Sequence, residues 1–201
     1  MIDNPLPIWA AAERNKQPIA HELCRLFARP GLLLEIGSAT GQHASHFCEQ
    51  LPHLQIQPSD YDAEHLETLR KRVALGQWPR LLPPLQIDVC ETPWPIAAAD
   101  YVFSANMMHI APWAASVGLF RGCSTILAAG GLLVTYGPYK LGGQHTAASN
   151  ESFDLSLRAR NADWGVREVN DLVALGAPLG LELVERLSLP ANNQMLVFKK
   201  R

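Results

Sequence analysis

Long apolar runs, paired cysteines and charge of one sign are all scarce in this chain, and each scarcity closes a class of function. No stretch approaches the roughly 20 apolar residues that a bilayer-spanning helix needs, so a membrane-embedded role is not expected. Only four cysteines occur, Cys24, Cys48, Cys90 and Cys123, widely separated and without a Cys-x-x-Cys pair. That spacing suits neither a zinc site nor a disulfide framework and predicts reduced, mostly buried thiols with no bound metal. Charged residues make up 18% of the chain and the formal net charge is -2, which leaves no basic face for a nucleic acid. The short runs Arg70-Lys71-Arg72 and Lys199-Lys200-Arg201 read as solvated helix and tail charges. The start, Met1-Ile2-Asp3-Asn4-Pro5, lacks the basic and apolar regions of a secretory signal. The expectation is a cytoplasmic protein, monomer or homodimer, with no nucleic-acid or membrane partner.

What is present is an alternation of strand and helix patterns over one domain, residues 1–201, with 48% hydrophobic residues to fill a core. Ile19, Leu23, Leu26 and Phe27 recur at helical spacing after Pro18, a residue favoured in a first turn, and Pro30-Gly31 closes that helix. Leu32 to Leu34, Leu54 to Gln57, Leu85 to Val89, Tyr101 to Ser104 and Leu132 to Tyr136 read as strands. Helices are expected from Gln42 to Gln50, after Asp62, from about Ala114 to Leu127 and near Glu168 to Leu175. Two last strands, Leu181 to Ser188 and Met195 to Lys199, are joined by a link too short for a parallel crossover, so they form an antiparallel hairpin. The fold class is α/β and Rossmann-like: a seven-stranded, mostly parallel sheet with a C-terminal antiparallel hairpin and helices on both faces.

The first strand ends in Glu35-Ile36-Gly37-Ser38-Ala39-Thr40-Gly41 and runs into a helix. A dinucleotide fingerprint spaces its glycines G-x-G-x-x-G, whereas here the small residues Gly37, Ala39 and Gly41 fall one residue tighter, after an acid. This resembles the first motif of Rossmann-like S-adenosylmethionine-dependent methyltransferases, with Ala39 in the slot of the middle glycine. Ala is tolerated there if its φ stays negative. Ligands of such sheets bind at the carboxyl ends of the strands. Asp60 closes the second strand and can accept both ribose hydroxyls, Tyr61 can cover the sugar or adenine, and Asp62 fits the cap of the next helix. Asp88-Val89 closes the third strand, where an acidic side chain and a backbone amide would meet the adenine. Asn106 follows the fourth strand, towards the sulfonium end.

The segments Ala11 to Ile19, Gly41-Gln42-His43, Gln57 to Tyr61, Phe103 to Trp113 and Pro190 to Asn193 together resemble the signature segments of an uncharacterised family of S-adenosylmethionine-dependent methyltransferases found in bacteria and animals. The resemblance implies the fold and the cofactor, with Glu35, Gly37, Ser38, Ala39, Gly41, Asp60, Tyr61, Asp88, Val89 and Asn106 around it. It does not carry the substrate.

Methyl transfer is an in-line displacement that needs an aligned nucleophile and, for some acceptors, a base. His109, just past the fourth strand, is the candidate base, or else it caps the helix that follows or binds a backbone carbonyl. Tyr136 can orient a nucleophile or belong to the core. Residues 1–17 form a candidate lid, in which Arg14 could pair with the carboxylate of the cofactor or of an acidic substrate. Residues 137–165 form a second, with a short helix capped by Asn150, Phe153 and Leu157 facing inward, and His145, Asn150, Arg158, Arg160 and Trp164 as substrate contacts. The reading is a methyltransferase of a small-molecule acceptor that releases S-adenosylhomocysteine; an idle methyltransferase-like interaction domain and an NAD(P)-dependent oxidoreductase remain as alternatives.

Overall fold

The computed structural model describes residues 6–201, so Met1 to Pro5 lie outside the described residues. Two compact units divide the chain, residues 1–88 and 89–201. In the first, α1 (Ala10–Leu26), β1 (Gly31–Ile36), α2 (Gln42–Gln50), β2 (Leu54–Asp60), α3 (Ala63–Ala74) and β3 (Leu85–Gln86) follow one another. In the second come β4 (Ala99–Ala105), a 3-10 turn (Met107–Ile110), α4 (Trp113–Ile126), β5 (Leu127–Gly137), β6 (Tyr139–Leu141), β7 (Gln144–His145), α5 (Ala148–Arg160), β8 (Arg167–Glu168), α6 (Val169–Gly176), a second 3-10 turn (Ala177–Leu179), β9 (Leu181–Leu189) and β10 (Asn193–Lys200). The main sheet has seven strands: the first unit gives β3-β2-β1 in that order, and the second gives β4-β5-β10-β9.

In the first unit β1 and β2 are parallel, with Gly31 opposite Leu54 and Ile36 opposite Ser59, so their carboxyl ends are level. Leu33, Leu34 and Ile56 are fully buried, as befits strands covered on both faces. The helix α1 starts well before the expected point, and Pro18 lies inside it rather than in its first turn. One face of α1 buries Asn15, Ile19, Ala20 and Leu23, and α1 packs on α2. That burial outweighs the hydrogen bond a mid-helix proline removes. The strand β3 is shorter than the expected Leu85 to Val89, because only Leu85 and Gln86 pair with β2 and the Pro83-Pro84 pair precedes them. Asp62 caps α3 as expected, accepting from the N–H groups of Glu64 (2.8 Å) and His65 (3.0 Å).

In the second unit β5 pairs with β4 in parallel and with β10 antiparallel, and β10 pairs with β9 as the predicted hairpin. Segment 137–165 holds more structure than expected. With β8 it builds a second sheet, in the order β7-β6-β8, and α5 is a full 13-residue helix. Asn150 does not cap α5; it lies inside the helix and donates to Thr146 Oγ1 (2.9 Å) and to the Asn192 carbonyl (3.0 Å). Leu157 is buried as predicted, but Phe153 is 39% exposed. Of the four free thiols only Cys48 and Cys123 are buried.

The helix α4 is fitted to the loop after Val89 by two glycines one turn apart. A Cβ on Gly118 would fall on the Val89 carbonyl oxygen, and one on Gly122 would fall into the Trp94 ring. Gly118→Ala should therefore destabilise the protein by about 2 kcal/mol, because overpacking of this size exceeds the roughly 1 kcal/mol that Ala gains over Gly in a helix. Chemical denaturation of the variant checks the sign as well as the size.

Candidate functional site

The turn from β1 into α2 is shaped by backbone that few side chains tolerate. Gly37 and Gly41 have φ of 73° and 72°, and a Cβ on Gly41 would come within 2.7 Å of Leu69 Cδ2 and 2.9 Å of Arg72 Cδ. Ala39 also lies in the left-handed region, at φ 48°, so the condition of negative φ does not hold and the residue is strained. The strain is held by β2. The Ala39 N–H donates to Asp60 Oδ2 (2.9 Å), the Ser38 N–H to the Ser59 carbonyl (2.8 Å), and the Ser59 hydroxyl to the Glu35 carbonyl (2.7 Å). Behind the turn, buried Arg72 donates from Nε to the Thr40 carbonyl (2.7 Å).

Two buried carboxyl groups flank this turn. Asp60 is 3% exposed; besides Ala39 it accepts from the Asp62 N–H (3.0 Å) and lies 3.3 Å from His65 Nδ1. A carboxylate has about four acceptor positions, so Asp60 keeps room for further donors. Glu35 is 1% exposed and its Oε2 has no hydrogen-bond partner. Burial raises its carboxyl to about 7, partly offset by the Ser38 hydroxyl and reinforced by the charge of Asp60. His43 Nδ1 lies 3.9 Å from Glu35, and its Nε2 donates to Asn15 Oδ1 (2.7 Å), which ties α1 to the glycine turn. Burial pushes this imidazole down to about 4, so it is neutral at physiological pH. Trp9 packs edge-on against His65 at 5.5 Å. Tyr61 is 69% exposed at the end of β2, and Arg14 is exposed on α1. Asp88 lies beyond β3 and is exposed, so the expectation that Asp88-Val89 closes the third strand is corrected: the strand stops at Gln86.

In the second unit Val89 lines a cavity of about 450 Å³ together with Cys90, Trp113, Val117 and Arg121. Asn106 begins the 3-10 turn at φ 59°, a conformation Asn tolerates better than most residues, and its N–H donates to the Tyr136 carbonyl (2.8 Å). Tyr136 is 3% exposed within β5. His109 is 1% exposed, neither ring nitrogen has a partner, and the ring packs edge-on against Tyr139 at 5.2 Å. Burial, with the positive charge of Arg167, pushes it down to about 3. The candidate base is thus a weak one, locked in the neutral form.

Arg167 escaped the sequence reading, yet it organises this turn. It donates to the carbonyls of Met108 (2.8 Å), Ala111 and Asp163 (3.4 Å), and lies 5.8 Å from the centre of the Trp113 ring. The Gly165 N–H adds a bond to the His109 carbonyl (3.0 Å). Only its position before a short helix distinguished this arginine in the sequence. Asn15 and His43 were likewise missed as partners of the turn, since no spacing links them.

The family described as "Protein of unknown function (DUF938)" matches residues 7–200. The chain belongs to this family. Solved structures of similar fold include an O-methyltransferase family protein from Burkholderia thailandensis, at TM-score 0.80 and 16% identity over 94% of this chain and 57% of that one. Human N-acetylserotonin methyltransferase in complex with S-adenosylmethionine (SAM) gives TM-score 0.79 and 15% identity over 94% and 52%. PigF with S-adenosylhomocysteine (SAH) gives 0.72 and 14% over 84% and 50%. At these identities the likeness establishes the Rossmann-like methyltransferase fold, and this DUF938 chain spans about half the length of those structures. Among the described residues no helix is long and apolar enough to cross a membrane, and no group of three or more His, Cys, Asp or Glu could hold a metal ion.

The strained Ala39 offers a direct check on the turn geometry. Ala39→Gly should stabilise the protein by about 1 kcal/mol, the left-handed penalty less the greater chain entropy of glycine. A destabilised variant in urea unfolding would mean that Ala39 is not held at positive φ.

Proposed function

We propose that this chain transfers the methyl group of SAM to a small-molecule acceptor and releases SAH. The observation that carries the reading is the pair of buried carboxyl groups at the glycine turn, one with an orphaned oxygen. A buried acceptor without a donor is costly unless a ligand completes it, and a carboxyl held near neutrality by desolvation is best completed by a cation. SAM fits that demand: Glu35 would hold the positive charge of its methionyl end, Asp60 the ribose hydroxyls, and Tyr61 would cover the sugar. Gly37, Ser38, Ala39 and Gly41 let the backbone approach the ligand. Exposed Asp88 would offer an acceptor to the adenine amino group, and Arg14 would reach the methionyl carboxylate.

When bound, the cofactor supplies a methyl group already activated by the sulfonium. The residues of this chain have the lesser task of binding, orienting and excluding water. Asn106 sits at the end of β4 with its backbone N–H bonded to the Tyr136 carbonyl, and Arg167 holds the turn that follows at the Met108 carbonyl. His109, depressed to about 3, shapes this turn in our reading rather than accepting a proton. That favours an acceptor whose nucleophile is already deprotonated or needs no strong base at neutral pH. The fold similarity to proteins solved with SAM or SAH supports the same cofactor.

The test is calorimetric titration of SAH and of NADH into wild type and Asp60→Ala. SAH should bind in the micromolar range, about -8 kcal/mol, and the substitution should weaken it roughly tenfold to a hundredfold, while NADH does not bind. Preference for NADH would replace the reading with an oxidoreductase, and no binding to folded protein would replace it with an idle domain.

The titration of Glu35 adds a pH signature. Its folded value of about 7 stands above the ordinary 4.5, so its contribution to stability is fully present below pH 4.5 and is lost as pH rises through 7, about 3 kcal/mol in all. Ligand binding should run the other way. SAH carries an ammonium that needs the ionised carboxylate, so its affinity should fall as pH drops below 7, with proton release detectable by calorimetry in buffers of different ionisation enthalpy. Glu35→Gln should bind weakly and without that pH dependence.

A further inference from the structure

The small second sheet gathers more positive charge than its own packing requires. Lys140 on β6 stands opposite His145 on β7 in antiparallel register, so both side chains rise from one face of the ribbon. On α5, Asp154 and Arg158 are one turn apart and share a face. These elements meet at the Asp154 carboxylate, which is 4% exposed. Its Oδ2 lies 2.9 Å from Lys140 Nζ and 3.3 Å from His145 Nε2, and its Oδ1 lies 2.7 Å from the Val166 nitrogen and 3.3 Å from Arg158 Nε.

Four donors saturate Asp154, but the donors are far from saturated. Lys140 and Arg158 have no other acceptor among the described residues and keep most of their N–H groups unused, and His145 Nδ1 is buried without a partner. A second carboxylate nearby, Glu168, is committed to the N–H groups of Gly142 (3.1 Å), Gly143 (2.8 Å) and Asn170 (3.1 Å). The charge of Arg167 also reaches the cluster, since it interacts with both Asp154 and Arg158. A structural ion pair needs one cation per carboxylate. Here Lys140, Arg158 and Arg167, with His145 beside them, all act on the single carboxylate of Asp154.

The cluster also lies against the turn that carries Asn106 and His109. A Cβ on Gly165 would come within 2.7 Å of both Arg158 Nη2 and Asp154 Oδ1, while the Gly165 N–H is bonded to the His109 carbonyl. We propose that Lys140, His145 and Arg158 form a subsite for an oxyanion, a carboxylate or a phosphate, of the methyl acceptor. The assignment rests on the methyltransferase reading above and narrows it to acidic acceptors. The planar fork of Arg158 suits either oxyanion, and the half-exposed position of its side chain leaves it accessible.

The experiment is calorimetric titration of succinate and of inorganic phosphate into the full chain at low ionic strength, with uncharged succinamide as control. At least one anion should bind saturably with a millimolar or tighter Kd, and succinamide should not; which anion binds more tightly identifies the oxyanion. Arg158→Gln and Lys140→Gln should each weaken binding tenfold or more, Arg158→Lys should retain part of it, and Leu155→Ala, exposed on the same helix, should bind as wild type. If Lys140→Gln fails to fold, Arg158→Gln decides alone. Absence of anion binding in wild type, or binding unaffected by Arg158→Gln, overturns the subsite. SAH titrated into the same samples separates the two failures: SAH binding without anion binding sinks the subsite alone, and anion binding without SAH binding sinks the cofactor reading on which the acceptor assignment rests.

Discussion

The bond from the Ala39 N–H to the Asp60 carboxylate is the constraint on which the first unit's chemistry depends. A glycine-rich turn has many conformations open to it, and ordering each residue costs about 1–2 kcal/mol of backbone entropy. Here the turn is fixed from outside, by β2, whose carboxyl end lies level with that of β1 because the two strands run parallel in register. The hydroxyls of Ser38 and Ser59 extend the same stitching, and Arg72 closes it from behind. Register, turn geometry and the position of Asp60 are therefore one fact. A shift of β2 by one residue would turn Asp60 to the other face and release the turn.

Much of this was legible in the sequence because it follows from short-range rules. The bounds of α2 follow from the glycine turn before it, Asp62 announces the cap of α3, and the brief link between β9 and β10 leaves only a hairpin. What escaped was set by tertiary contacts. The early start of α1 depends on burying Asn15 and Ile19, which no local signal reveals against Pro18. β6, β7 and β8 are two or three residues long, too short for any alternation to register, so the insertion read as a connection with one helix. Phe153 faces outward because Asp154 and Leu157 take the buried face of α5, an acid displacing an aromatic for reasons visible only once Lys140 and His145 arrive.

The candidate site divides in the same way. Residue types at strand ends could be read directly, and Glu35, the glycines and Asp60 do sit together at one turn. Their electrostatic state could not be read, since the rise of Glu35 and the fall of His43 and His109 come from desolvation, a property of the packed interior. Asp88 shows the converse: an acid at the right place in the sequence is exposed because its strand ends early.

Arg167 gives the two units different characters. Its hydrogen bonds run to the carbonyl oxygens of Met108, Ala111 and Asp163, groups that never ionise, and guanidinium itself stays charged at any pH a folded protein meets. Nothing in that clamp titrates, whereas the glycine turn carries a carboxyl poised near neutrality. The turn beside His109 is thus a fixed anvil, and acidity acts instead on the glycine turn beside Glu35.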